Sequence, residues 1–265
     1  MLIKPGAAMF FDVPTRDYTT ALDAVAEELL WEAGVHEPPV DVFLIAMRLG
    51  VVVTEDVALP GRAQLVRLDD RLASTVLEVE PDTSTPTIVL GEELRFERRQ
   101  FAVAHELGEF AAVRVFDHLA IDPRDVPLGS REQVANALAG RLLLPQRWLQ
   151  KSGEMCDWDL AALKQMYWTA SHEFIARRLL DCTPPVVMTL FDEGRITWRR
   201  CNLGRSAAAL LTAEHDCWQQ CHHWATPVAQ EIELAEGTRA IIRCWPVHEP
   251  HWRREIMRTE LHNCD

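Results

Sequence analysis

The residues with the most to say about chemistry lie together in Arg99-Gln-Phe-Ala-Val-Ala-His105-Glu106-Leu-Gly108-Glu109-Phe110. A histidine followed at once by a glutamate inside an apolar stretch has the spacing of the metal-binding pattern H-E-x-x-H. There, residues i and i+4 lie one turn apart on one helix face and hold a single ion. The glutamate at i+1 then stands beside the water that the ion activates, as its general base. Here the second histidine position is Glu109, so the pattern reads H-E-x-x-E. A carboxylate is a competent zinc ligand, but it is harder and anionic, which moves preference toward oxygen-loving ions and lowers the Lewis acidity of the metal. Charges at this spacing also occur on ordinary surface helices. Against that reading, Phe101, Val103, Ala104, Leu107, Phe110, Ala111 and Ala112 flank the trio on nearly every side. A helix so apolar is buried, and buried His and Glu need partners or a metal. Gly108 costs about 1 kcal/mol relative to alanine in a helix interior, which suggests the close approach of another backbone.

A third candidate ligand comes from the next apolar stretch, Ser130-Arg-Glu132-Gln-Val-Ala-Asn136-Ala-Leu-Ala-Gly-Arg-Leu-Leu-Leu-Pro145. Glu132 would complete a site with His105 and Glu109. It also has a purely structural explanation: Ser130 and Gln133 form a capping-box pattern, and the helix dipole favours a glutamate in the first turn. His118, nine residues beyond Glu109, is an alternative ligand through a bend, or a surface histidine already satisfied.

The elements that must position these residues follow from periodicity. Leu22, Val25, Ala26, Leu29 and Leu30 make one helical stripe ending near Gly34, and a second helix runs over residues 40–49 between Pro38-Pro39 and Gly50. Strands are expected at residues 51–54, 63–68, 74–80 and 87–90, among Asp- and Pro-rich turns. Helices follow over residues 98–116, 130–144 (stopped by Pro145), 157–167 and 171–180. After Thr183-Pro184-Pro185 the pattern changes to a hairpin, VVMTLF-DEG-RITW, a helix over 207–222 and a strand over 239–245. The boundary falls there: residues 1–183 form one domain and 184–265 a small α+β module.

Composition bounds the rest. The chain has 265 residues, 48% hydrophobic and 25% charged, enough for one large domain or two small ones. Its formal net charge of −13 repels a phosphate backbone, so direct nucleic-acid binding is not the expected activity. The helices at 157–167 and 171–180 have helix-turn-helix spacing with Lys164, Arg177 and Arg178, but so short a basic patch reads better as helix packing. No run reaches the roughly 18 to 20 apolar residues that span a bilayer, and Asp12, Arg16 and Asp17 interrupt any signal-peptide core, so a cytoplasmic location without membrane association is expected. The seven cysteines are then reduced rather than bridged. Cys217, Cys221, His222, His223, Cys244, His248 and His251 are soft ligands without zinc-finger spacing, and five tryptophans after residue 197 suggest a compact core or a partner-binding face.

Set side by side, these stretches resemble a known family. Arg99–Glu109 is similar to the "rxFTLAHELGH" of the ImmA/IrrE metallopeptidases, and Glu132–Pro145 to their "ExxANxFAAELLMP" at a compatible separation. Pro38-Pro-Val-Asp-Val with Ala46 and Leu49-Gly50-Val, and Ser171-His-Glu-Phe-Ile-Ala-Arg-Arg-Leu179, resemble flanking motifs, so the likeness spans roughly residues 20–200. The resemblance implies an α+β, zincin-like fold with a small antiparallel sheet and an active-site helix. It implies His105 and Glu132 as metal ligands, Glu106 as general base, and zinc as cofactor, with Mn2+ or Fe2+ suited to the carboxylate-rich set. It also implies a protein substrate, a repressor-type transcription regulator, which would lie extended along a sheet edge near residues 87–90. Glu109 stands where the family has histidine. Three outcomes stay open: an active enzyme with one imidazole and two carboxylates, a weak metal site, or a silent regulator that keeps the fold to bind a partner. Oligomeric state is not legible.

Overall fold

The computed structural model describes residues 13–56, 63–68, 85–92, 95–234 and 238–263, and its architecture is α+β. It packs into two compact units: one made of the described residues up to Pro145 together with Tyr167–Ala170, the other of Gln146–Met166 and the residues from Ser171 onward. The helical pair that the sequence groups with the first domain thus packs with the second unit, apart from its connecting turn. Among the described residues no helix is long and apolar enough to cross a membrane.

In the first unit, helix α1 (Thr15–Glu32) buries the expected stripe from Leu22 to Leu30. Helix α2 (Val42–Arg48) starts where Asp41 caps it, its Oδ1 accepting the Phe43 N–H at 3.0 Å. Strands β1 (Val52–Glu55), β2 (Ala63–Leu68) and β3 (Thr85–Leu90) form a three-stranded sheet in the order β1-β3-β2. The sheet is mixed, since β3 runs parallel to β1 and antiparallel to β2. The strand expected at 74–80 lies outside the described residues.

Helices α3 (Phe96–His118) and α4 (Leu128–Leu143) lie against one another and carry much of the core: Val103, Leu107, Ala111 and Val115 from α3 and Val134, Leu138 and Leu142 from α4 are all buried. Each such aliphatic side chain contributes about 1.5–3 kcal/mol when fully buried. Gly108 faces α4, and a Cβ placed there would stand 2.6 Å from the Ala135 carbonyl oxygen and 3.0 Å from its Cα. That is the close backbone approach the glycine predicts. Gln100, fully buried, accepts the Val42 N–H at 3.0 Å and donates to Asp41 Oδ1 at 2.9 Å, tying α3 to the start of α2.

The second unit is built on five antiparallel strands in the order β5-β4-β8-β7-β6: β4 (Val186–Asp192), β5 (Arg195–Cys201), β6 (Val228–Glu233), β7 (Thr238–Pro246) and β8 (Arg254–Asn263). Six successive residues of β4 are buried, as a strand covered on both faces requires. Helices α5 (Gln146–Met155), α6 (Leu160–Met166) and α7 (His172–Arg178) precede the sheet, and α8 (Thr212–Trp224) lies between β5 and β6 in sequence. On α8, Cys217 and Cys221 pack into an apolar cluster with Phe191, Ile242, Cys244 and Met257. All three cysteines are free thiols. Helix α5 and strands β6 and β8 are absent from the sequence reading. Strand β8, with Arg254, Glu255, Arg258 and Glu260, carries too many charges to look like a buried strand.

Candidate metal centre

The close packing of α3 on α4 sets the first site. His105 and Glu109 lie one turn apart on α3, and Glu132 reaches them from the second turn of α4. His105 Nε2 is 3.6 Å from Glu109 Oε1 and 3.4 Å from Glu132 Oε2. These separations exceed ordinary N–H···O hydrogen bonds. They match the edges of a tetrahedron of ligands bonded to one ion at about 2.0–2.2 Å, which are about 3.3–3.6 Å. One imidazole and two carboxylates therefore fit a divalent ion in both donor type and spacing.

The strip of α3 that carries the pair is open. Glu109 is 43% and Glu132 47% exposed, and Val113 one turn on is exposed too, while Val103, Ala104, Leu107, Ala111 and Ala112 are buried. This corrects the expectation that apolar neighbours bury the whole trio: they bury Glu106 and leave the ligand face accessible. A cavity of about 440 Å³ adjoins it, lined by Ala112, Val113, Phe116 and Pro123 with Glu109 and Glu132 at its side.

Glu106 is buried, and its Oε2 accepts the Leu65 N–H of β2 at 2.7 Å. Burial raises its pKa above the usual carboxylate range; the Leu65 N–H and His105 oppose the rise, and the carboxylates of Glu109 and Glu132 add to it. A carboxylate displaced toward neutral pH is suited to taking up a proton there.

Helix α4 begins at Leu128 after Pro127, so Ser130 lies inside the helix and no side-chain cap forms. The capping-box explanation of Glu132 is thereby removed. Instead Asn136 holds that residue, its amide donating to Glu132 Oε1 at 3.2 Å and to the Glu132 carbonyl at 2.9 Å. Sequence reasoning gave Asn136 no role, although the i, i+4 spacing from Glu132 was the available signal. His118 is engaged with Glu28 at 2.8 Å rather than with the cluster. Strand β3 is central in its sheet, flanked by β1 and β2, so residues 87–90 offer no free edge for an extended substrate; among the described residues β2 is an edge strand, and it reaches Glu106. In the second unit Arg177 bonds Glu173 at 2.7 Å and stacks over Trp198, and Arg178 is buried against Asp181. The basic look of the helical pair is thus taken up by internal contacts.

An α+β unit whose longest helix carries a His-Glu pair, with a third candidate ligand on the next helix, has a layout that a metal-dependent peptidase domain would need. Residues 46–180, just over half of the chain, match the M78 peptidase family described as the IrrE N-terminal-like domain, and the chain belongs to this family. A solved structure of a Mycobacterium tuberculosis transcriptional regulator is similar to it, with a TM-score of 0.58 and 20% identity over 92% of this chain and 80% of that one. At that identity the likeness concerns the fold. No curated protein matches the sequence.

Proposed function

We propose that the chain is a metal-dependent endopeptidase acting on a regulatory protein, with His105, Glu109 and Glu132 as metal ligands and Glu106 as general base. The observation that carries this is the convergence of three ligand atoms at ion-holding separations beside a buried, backbone-anchored glutamate. A divalent ion such as zinc, held by His105, Glu109 and Glu132, would supply Lewis acidity toward water and the scissile carbonyl. Glu106 takes a proton from the attacking water on the oxygen that Leu65 leaves available, and returns it to the amine as the C–N bond breaks. The Leu65 N–H fixes the carboxylate while it does so. An extended substrate segment lies along strand β2, where main-chain pairing gives affinity, and the cavity beside Glu109 and Glu132 takes a side chain. The regulatory role of the substrate rests on the resemblance to repressor-cleaving peptidases and is supported by a fold shared with a protein titled a transcriptional regulator.

The test is cleavage of a proteome-derived peptide library by Zn2+- or Mn2+-loaded protein, with new N-termini read by mass spectrometry. Glu106→Gln is expected to keep its metal and lose about 10²–10⁴-fold in turnover, since an amide cannot accept the proton. Equal turnover in the mutant would rule out Glu106 as base.

Glu109 itself favours a second reading, in which the fold binds a partner without cutting it. Two carboxylates and one imidazole leave a zinc site with formal charge near zero, which makes the water less acidic than a two-histidine site does. Glu109→His is therefore expected to bind zinc more tightly and to cleave at lower pH than the parent. If parent and variant both produce no new termini with zinc bound, the partner-binding reading replaces the enzyme.

A further inference from the structure

Glu255, on β8, has no solvent exposure. Its Oε1 lies 2.9 Å from His222 Nδ1 and 2.6 Å from His248 Nε2, and its Oε2 accepts the Trp218 indole N–H at 3.0 Å. Among the described residues no guanidinium or ammonium group pairs with it. Burying a carboxylate without a compensating cation is costly. The same unit shows how it treats another buried carboxylate. Glu214, equally enclosed, is met by the Arg199 guanidinium at 2.8 and 3.1 Å, by the Thr259 hydroxyl and by the Leu211 N–H. Glu255 has two imidazoles where Glu214 has an arginine.

We propose that His222, His248 and Glu255 form a second divalent-metal site, anchored on a buried carboxylate, that pins α8 to strand β8 and to the turn joining it to β7. Two imidazole nitrogens and one carboxylate oxygen are a donor set for zinc or ferrous iron, and all three ligand atoms lie within 4.8 Å of one another. Neighbouring ligands of an ion bonded at about 2.0–2.2 Å stand about 2.8–3.6 Å apart, from octahedral to tetrahedral geometry. The His222 pair is already spaced for this. His248 has to retreat by only a few tenths of an ångström, and it sits in a turn outside the regular strands, after Pro246 and before the bridge of Glu249 with Trp252. The surrounding shell is built: Trp218 stacks on Phe191 at 5.0 Å between ring centroids, which fixes the indole N–H on the carboxylate oxygen that faces away from the imidazoles. The three ligands come from α8, the β7–β8 turn and β8, so a bound ion joins elements otherwise held by the apolar cluster below them. The neighbouring thiols of Cys217, Cys221 and Cys244 take no part, for they face that cluster. With Glu255 sealed from solvent and only the two imidazoles partly exposed, the ion has a structural or sensing role.

The experiment uses the full chain, stripped of metal with a chelator, dialysed and loaded with Zn2+ alone. Bound zinc is counted by elemental mass spectrometry. His105→Ala/Glu132→Gln, which dismantles the first cluster, is expected to keep one equivalent per chain, and adding His222→Asn is expected to remove it. A first-cluster variant that holds no zinc overturns the proposal, and so does an equivalent that survives His222→Asn. Should the triple variant fail to fold, the double variant decides by itself. Zn2+ is then expected to slow diethyl pyrocarbonate modification of His222 and His248 at least tenfold while His215 and His223, both exposed, react as before. Equal modification of His222 and His248 with and without zinc overturns it.

Discussion

The two His/Glu clusters draw on the same donor types and differ in how the chain holds them. In the first, His105 Nε2 stands 3.6 Å from Glu109 and 3.4 Å from Glu132 on two packed helices, with both carboxylates nearly half exposed. In the second, His222, His248 and Glu255 close to 2.6–2.9 Å around a carboxylate with no exposure. Two half-exposed carboxylates leave room for water and a peptide beside an ion, which is what a catalytic ion needs; a carboxylate without exposure anchors its ion from within the fold, with only the imidazoles partly exposed. Spacing along the sequence distinguishes neither. What separates them is the layer beneath: small residues, Gly108 against Ala135, let two helices present long side chains outward, whereas a strand and a covering helix turn theirs inward.

The comparison breaks first if the second region is not closed. Burial, with Cys221 and the Glu214 carboxylate adding to it, pushes the Cys217 thiol up to about 12. Against an ordinary value near 9 this leaves roughly 10³-fold less thiolate at pH 8, and the thiolate is the form that reacts. The sign is that of a group kept neutral by the fold, so Cys217 is expected to resist iodoacetamide until pH approaches 12 or the chain unfolds. Peptide mapping after timed alkylation, native against urea-unfolded, measures the ratio; labelling at equal rates would show that α8 does not seal the region around the second cluster.

The next effect tests the helix pair under the open cluster. In Gly108→Ala the new methyl meets backbone rather than a flexible side chain, so α3 and α4 must separate, at a cost of about 1–3 kcal/mol. Because Glu132 rides on α4, zinc affinity at the first cluster is expected to fall together with the unfolding midpoint, leaving the second cluster's zinc in place. A variant of unchanged affinity would mean that the glycine serves packing alone.

How much of this was legible depends on whether the informative residues were near each other in sequence. Within α3, the i, i+4 relation of His105 and Glu109 and the demand of Gly108 for a close neighbour could be read directly, because both are properties of one helix. Glu132 could be proposed but not chosen over a cap, since the choice turned on whether the helix starts at Leu128 or after Ser130, and Pro127 rather than a polar cap decides it. The edge strand was misplaced because strand order is set by long-range pairing: β3 inserts between β1 and β2, and no local signal in residues 87–90 reveals that. Glu255 stayed hidden for a related reason. It sits in Arg253-Arg254-Glu255, a run that reads as surface, and its partners His222 and His248 lie 33 and 7 residues away. The cysteines and histidines of that region were visible, but which of them converge was not.

The smallest effect concerns what keeps the open cluster open in the right way. Glu132 is nearly half exposed, so its carboxylate would sample several rotamers unless something restrains it. Asn136, one turn along α4, donates to Glu132 Oε1 and to the Glu132 carbonyl, which leaves Oε2 directed at His105 Nε2. Removing a group that orients a metal ligand lowers metal affinity by about 10–100-fold; with a partly exposed bond of 3.2 Å, the expectation for Asn136→Ala is the lower end of that range, about tenfold. Global stability should change by no more than about 1 kcal/mol, because the lost hydrogen bonds are exposed. Zinc titration by calorimetry on the parent, Asn136→Ala and Asn136→Gln separates the contributions: the glutamine keeps the amide but carries it one methylene farther, and should recover part of the affinity if orientation of Glu132 is the mechanism. If both variants bind zinc as the parent does, Glu132 is held by the ion itself, and the open cluster owes its geometry to the metal and the helix pair alone.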